Sequence, residues 1–456
     1  MANAITPNPN PVEAAGNDLV GGGLQATPQN YVSLGTLIDP TKPDVQDLYV
    51  ATYGDQGITG FLELTGAKKN AGTSDEVEWY EEGRLHKTIT GTTAAGTAPA
   101  GTVEISAGDV RPNDVLLTSK GDRLLVTSET NTAGTWNVVN LNGSDAVEVV
   151  TGEGIAIIGN IYAQGTNQPS EFYQTGLIKR ENPYIITKEM YEVSGSQATN
   201  VGWLNVNGQY LWYLKNEMDA RKRFMNQREM MLLYSQIPGT AISDNNSPAG
   251  KIVGSEGYFA AVESRGITAT VTGGAQGSFA SMSDIDQIIL ELDKEGAPAE
   301  YAMYVNRATS LDIDDMLANG IATQVTAGLA GQFGAFNNDA DMAVRLGFKS
   351  FTRGGYTFHK HDWKLLNDPT LGGLVNTHKG AMIPMSQVAD AKSGIKSPAL
   401  QMNYKGAGNY SREMEHWVEG GGVLGHVTSG KDTVKFNYRS ECNLVTRAAN
   451  QHVVLK

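Results

Sequence analysis

Two histidines and an aspartate stand together at His359-Lys360-His361-Asp362. Residues two apart on a strand face the same way, so the two imidazoles would share a face and could hold a divalent ion. A protein zinc site takes three or four ligands, and the one further candidate is His378. No spacing ties His378 to the pair, so a solvated strand surface is the stronger reading. A second cluster, Asp312, Asp314 and Asp315, resembles the start of a calcium-binding loop. Met316 stands where the next ligand belongs and the required glycine is missing, so acids at a helix start, where they complement the dipole, explain the cluster better. Arg221-Lys222-Arg223 has the chemistry to touch phosphate. One triplet falls far short of a basic stripe, and a charged helix face is the simpler reading.

Other catalytic signatures are missing. The glycine-rich run Gly273 to Gly277 lacks the lysine of a phosphate-binding loop, and Thr151 to Gly159 lacks dinucleotide-binding spacing. There is no Gly-x-Ser-x-Gly elbow, and the single cysteine, Cys442, has no evident histidine partner. Among 49 acidic residues no spacing singles out a pair for glycoside hydrolysis. The expectation is therefore no catalytic, cofactor-binding or metal-binding residues, no cofactor, and a protein that is not an enzyme.

Composition narrows the class further. A chain of 456 residues has room for about two to four domains and a sizeable core. Its 35 basic residues against 49 acidic ones give a formal charge of −14, which disfavours tight non-specific DNA binding. One cysteine excludes an intrachain disulfide framework and any multi-cysteine metal site, and suits a reducing cytoplasm. The first residues, MANAITPNPNP, lack the basic start and apolar stretch of a signal peptide, and no apolar run is long enough for a membrane span. A protein made inside a cell, without contact with membrane, is expected.

The element that must position everything else runs from Gln209 to Ile237, without Gly or Pro in a chain that has 53 Gly. It predicts one helix of roughly 40 Å. Leu211, Leu214, Met218, Met225 and Leu232 make a narrow apolar stripe, and Glu217 with Arg221 and Asp219 with Arg223 make acid-first pairs on the exposed side. Pro238-Gly239 ends it. Residues 1–74, rich in Asn, Pro, Gly and Thr, read as an extended arm with short apolar stretches at Tyr31 to Ile38 and Thr59 to Leu64. Asp75 to Thr90 reads as a charged strand and turn, beside which Glu171 to Tyr191 could return; such a ribbon needs another surface to lean on. Between them, β-like runs at Val103 to Ser106, Val115 to Ser119, Arg123 to Thr127, Thr135 to Leu141, Ala146 to Val150 and Gly154 to Ile161 predict a small barrel or sandwich.

After the long helix the pattern alternates. Ser283 reads as the cap of a helix, Asp284 to Glu295, with Ile285, Ile288, Ile289 and Leu292 on its apolar face. A strand at Tyr301 to Val305 follows, then a helix from Leu311 to Asn319 ended by Gly320, and a short helix from Asp339 through Arg345. Phe348 to Thr352 and Tyr356 to His361 flank Arg353-Gly354-Gly355 as a hairpin. The closing strands are Ala399 to Tyr404, Glu415 to Val418, Thr433 to Val445 and His452 to Leu455, expected to pack on the long helix.

This order of parts resembles the major capsid protein of tailed bacteriophages with the Hong Kong 97 fold. AEYAMYVNRATSLDIDDMLANG from Ala299, GFKSFTRGGYTFHKHDWKLLND from Gly347, HKGAMIPM from His378 and NYSREMEHWVEGGGVLG from Asn409 are similar to coat proteins of crAss-like phages of gut bacteria. The resemblance implies an α+β, Hong Kong 97-like fold. Its parts would be an N-arm at 1–74, an E-loop at 75–90 and 166–200, a β-rich insertion domain in the E-loop at 91–165, and the spine helix of the P-domain at 201–240. The A-domain with adjoining P-domain strands would occupy 241–398, and C-terminal P-domain strands 399–456. It implies a structural protein of the virion, assembled in the host bacterial cytoplasm as pentamers and hexamers of an icosahedral shell around double-stranded DNA. Partners would be other copies and head proteins such as portal, scaffold or auxiliary capsid proteins, with non-specific DNA contact at most. The alternatives are a phage tail sheath or tube component and, in another class, a carbohydrate-binding adhesin or glycan-active enzyme using Trp136 and Tyr162 of the inserted domain.

Overall fold

The computed structural model describes residues 68–70, 74–326 and 350–456, apart from 85, 87, 106–108, 144–145, 153, 170–175, 199–204, 207–208, 211, 241, 245–246, 372–376, 390–395, 408–409 and 422–427. The apolar stretches expected at Tyr31 to Ile38 and Thr59 to Leu64, and the helix expected from Asp339 through Arg345, lie outside the described residues. The fold is mixed α/β and mostly strand. It divides into two compact units, Trp79–Arg180 and the rest of the chain.

Two strands precede the smaller unit's sheet, β1 (Lys68–Asn70) and β2 (Glu76–Glu82). The sheet itself comprises β3 (Thr88–Thr90), β4 (Thr92–Thr97), β5 (Ala100–Glu104), β6 (Asp114–Leu117), β7 (Arg123–Glu129), β8 (Thr135–Asn140) and β9 (Gly154–Asn160), in the order β3-β9-β6-β7-β8-β5-β4. The first and last members of that order are two halves of one run broken only at Gly91, so the sheet closes on itself as a small barrel. Closure removes free edges. A Cβ at position 91 would lie 2.8 Å from the Glu104 carbonyl oxygen, so glycine lets the strand leave β9 and pair with β5 in tight quarters. Alternation along β8 sends Trp136 and Val138 inward to Val103, Leu116, Leu124, Val126 and Ile155, an almost wholly aliphatic core. The strand expected at Ala146 to Val150 does not form. Val147 and Val149 are buried, but the backbone there is held through the Thr93 hydroxyl, which accepts from the Val149 N–H at 2.6 Å.

The larger unit is built around two main sheets, with smaller two-stranded ribbons beside them. Its elements are β10 (Leu177–Pro183), whose last residues belong here, β11 (Ile185–Ser194), α1 (Trp212–Tyr234), α2 (Tyr258–Arg265), β12 (Ile267–Ala269), α3 (Met282–Lys294), β13 (Glu300–Val305) and α4 (Arg307–Thr326). They continue with β14 (Ser350–Arg353), β15 (Tyr356–Asp362), β16 (Gly380–Pro384), β17 (Leu400–Tyr404), β18 (Glu415–Gly420), β19 (Thr433–Thr446) and β20 (Val453–Leu455). One sheet runs β1-β17-β19-β11 with β18 also on β19; the other runs β12-β20-β16-β13-β15-β14. Strand β13 is buried on both faces, which is why it reads as an unbroken apolar run. Tyr301, Met303 and Val305 face α3 and α4, whereas Ala302 and Tyr304 face a second core shared with α1, α2 and the other sheet. The hairpin β14–β15 turns at Gly354 and Gly355, with φ of 59° and 85°, a left-handed pair that suits glycine.

Several expectations need correction here. The long helix begins at Trp212, not Gln209, because Gln209–Tyr210 pairs with Asn205–Val206 as a short ribbon; it ends at Tyr234. Its predicted stripe holds at Leu232 and fails at two methionines, and the side chains of Leu211 and Leu214 lie outside the described residues. Met218 and Met225 are exposed, and the buried line is Ala220, Phe224, Arg228 and Leu232, a four-residue spacing that winds slowly around the helix. Gly320 does not end α4, which continues to Thr326, and the cap of α3 is Ser281 rather than Ser283. The Asp284 carboxylate accepts from the N–H groups of Ala280 and Ser281 at 2.9 and 3.1 Å, satisfying donors ahead of the helix. The closing strands also divide: β19 lies against α1, but β20 joins the other sheet between β12 and β16.

Candidate functional surfaces

The side chains that could have done chemistry are committed to other tasks. On β15 the ring of His361 stacks on Tyr304 at 5.1 Å, and burial, with His359 adding to it, holds its pKa below the ordinary histidine value. Asp362 pairs with Arg307 at 2.5 Å. His378 lies 2.6 Å from a Glu263 carboxylate oxygen and stacks on Phe259 at 4.1 Å; burial lowers its pKa against the pull of Glu263. These histidines form no joint ligand set among the described residues. Three carboxylates there do approach one another, Glu76, Glu78 and Glu181, within 4.8 Å on the ribbon. Exposed acids on facing strands produce such a group without any ion.

Asp312 is a loop brace. Only 1% exposed, it accepts from the N–H groups of Gln276 and Ser278 at 2.6 and 2.7 Å, and so orders the Gly273 to Gly277 run. Asp314 binds the Lys360 ammonium at 2.6 Å. The calcium-loop resemblance therefore has a structural cause. Cys442 is fully buried beneath α1, and burial pushes its thiol pKa up, the opposite of nucleophile activation. Arg221, Lys222 and Arg223 are exposed along α1. Trp136, a ring proposed for sugar stacking, is a core residue of the barrel, and Tyr162 is half-buried.

Exposed apolar side chains point instead to surfaces. Strands β2 and β10 pair as a two-stranded ribbon, on which Tyr80 is 64% exposed, Leu177 67% and Ile178 47%. A two-stranded ribbon is marginal in water, and among the described residues no third strand or helix supports these side chains. Further along, β11 exposes Ile186 and Met190 on the face opposite Tyr191. Cross-strand register carries Met190 through Asn437 to Trp417, over whose ring the Arg439 guanidinium lies at 5.1 Å.

The base of the ribbon is fixed by a residue that sequence reasoning passed over. Asn182, 1% exposed, accepts through Oδ1 from the Ser255 hydroxyl and the Glu256 N–H, at 2.9 and 2.8 Å. Its Nδ2 donates to the carbonyls of Glu256 and Leu444, at 3.0 and 2.7 Å, and its own carbonyl accepts from Asn443 Nδ2 at 2.7 Å. One amide thus ties the ribbon to α2's approach and to β19. The long helix is anchored likewise: Phe224 stacks on Tyr438 at 5.9 Å, and the buried Arg228 donates to the Glu413 carbonyl at 3.1 Å. A polar letter looks like surface in a sequence, and only its neighbours in space reveal it as an anchor.

No family model matches the chain, and no curated protein does. Several solved structures are similar to it over most of its length. One is the capsid of the cyanophage P-SCSP1u, with 8% identity, coverage of 91% of this chain and 93% of that one, and a TM-score of 0.40. Another is the capsid of a native GTA particle, with 10% identity, coverage of 92% and 96%, and a TM-score of 0.37. The holo-SrpI encapsulin of Synechococcus elongatus shares 11% identity over 62% of this chain and 77% of that one, with a TM-score of 0.33. Two of these similar structures are capsids and the third is an encapsulin complex.

Proposed function

We propose that the chain is a major capsid protein of a tailed phage, assembling as pentamers and hexamers into an icosahedral shell around double-stranded DNA. In this reading the ribbon β2–β10 is the E-loop, the barrel is an insertion within it, α1 is the spine helix, and the sheets on either side of the shared core belong to the P- and A-domains. The observation that carries the proposal is the ribbon. Its base is locked by Asn182, while Tyr80, Leu177 and Ile178 along its length are left to solvent. A subunit used many times must offer the same surface to each neighbour, and an anchored ribbon with uncovered apolar side chains suits that task. Each such contact would be modest, and many would add through multivalency. The acidic balance fits a shell that holds DNA without gripping it.

Electron microscopy of the purified chain, alone and with head proteins supplied, tests the proposal. Rings of five or six subunits or closed shells are the expected result. Stacked helical tubes would move the assignment to a tail component, and a strict monomer under both conditions would overturn the shell reading.

A further inference from the structure

The barrel carries a cleft of about 500 Å³ at the corner where its shared strand changes partners. Thr90 and Thr92 line it on either side of Gly91, and Glu104, Thr132, Thr135 and Thr151 complete the polar wall. It is open to solvent over much of its extent, so a ligand would lie against its wall rather than be enclosed. The wall is fixed by backbone bonds: Ile105 N–H donates to the Gly134 carbonyl at 2.7 Å, and Thr135 N–H to the Thr132 carbonyl at 3.1 Å. Thr92 Oγ1 donates to Glu104 Oε2 at 3.3 Å, which orients the carboxylate of this exposed residue.

The chemistry of this wall is selective. Each threonine hydroxyl both donates and accepts, and a carboxylate accepts from two adjacent hydroxyls at once. Among the described lining residues there is no lysine, arginine, histidine or aromatic side chain. An anion would meet Glu104 with no compensating cation, and a hydrocarbon would gain little from hydroxyl walls. We propose that the cleft binds a neutral saccharide, with Glu104 receiving a vicinal pair of hydroxyls and the threonines bonding the rest of the ring. Without an aromatic face to stack on, the affinity is weak. The inference needs only the folded chain and stands whether or not the chain builds a shell.

Saturation-transfer NMR on the full-length protein tests it, with glucose, galactose, mannose, N-acetylglucosamine and their disaccharides as probes and glucose 6-phosphate as the charged control. At least one neutral sugar should bind with a Kd of about 1–10 mM, more tightly than the phosphate ester. Glu104→Gln, at an exposed position that leaves the barrel core untouched, should weaken that binding about tenfold, and Thr92→Val by a smaller factor. No binding by any probe, a preference for the phosphate ester, or binding unchanged in Glu104→Gln would overturn the proposal.

Discussion

The barrel and the two-sheet unit differ in what they bury. Inside the barrel the core is mostly aliphatic, with Leu116, Leu124, Val126 and Val138 closed within strands that pair with each other, and the buried polar side chains Asp114, Thr118 and Asn140 bond close by in sequence, to Arg111, Asp122 and Asn142. The larger unit also has apolar cores, yet it buries Asn182, Arg228, Gln401, Asn403 and Asn443 between its strands. Several of these reach partners some two hundred residues away: Arg228 at Glu413, and Asn182 at Leu444. Aliphatic packing tolerates rearrangement, whereas a buried amide is satisfied in one arrangement only. The difference suggests that the barrel needs stability alone, while the larger unit must hold its ribbon and long helix in defined positions.

The comparison can be broken by finding that the units do not unfold separately. Leu124→Ala should cost the barrel roughly 2–5 kcal/mol by removing core volume that cannot refill. Urea unfolding followed in the full chain should move one transition and leave the other; a shift of both would mean the barrel is not independent. Asn182→Ala should cost the larger unit roughly 2–4 kcal/mol, because it strands buried partners at Ser255, Glu256 and Leu444. Hydrogen exchange should then show loss of protection spreading from β10 into β19, and an effect confined to residue 182 would make the amide dispensable.

Acid sharpens the contrast, since no histidine lies in the described barrel core. His452 is fully buried with Nδ1 3.2 Å from the Tyr258 hydroxyl, its ring edge against Tyr258, and burial depresses its pKa to about 3. The unfolded chain takes up a proton near the ordinary pKa of 6.5 while the folded chain does not. Stability is therefore complete above that value and falls as pH drops toward 3, by up to about 1.4 kcal/mol per pH unit. Denaturant midpoints at pH 7 and pH 5 should converge in His452→Gln for the larger unit; an unaltered pH slope would assign acid sensitivity elsewhere. The smallest effect is expected at Gly355→Ala, about 1 kcal/mol from a left-handed φ of 85°, read as a small loss in melting temperature.

What could be read from sequence follows the same division. Ile285, Ile288 and Leu292 were legible as a buried face because they are apolar at helical spacing, and the Gly354-Gly355 turn because only a few residues adopt its backbone. Most barrel strands were legible from alternation. The stripe on α1 was misread because its true line passes through Arg228, which periodicity counts as surface, while Met218 and Met225 look buried and are not. Asn182 left no signal at all, because its importance lies in partners brought from Ser255 and Leu444. The metal and calcium candidates show the same thing: residue types near in sequence are engaged by different neighbours in space, His361 by Tyr304, His378 by Glu263, Asp312 by the Gln276 and Ser278 amides and Asp314 by Lys360.

Strand β19 is central in one sheet and β20 in the other, and both come from residues 433–455. Neither sheet can be completed until those residues have left the ribosome, whereas the barrel's last strand ends at Asn160. At typical rates of synthesis the interval between the two events is roughly 15–60 s. During that time a finished barrel precedes a chain whose edges at β11, β16 and β17 await β19 and β20. Any chaperone or early neighbour that acts on this protein meets it in that window, with the buried residues of β16 as the segment in most need of cover.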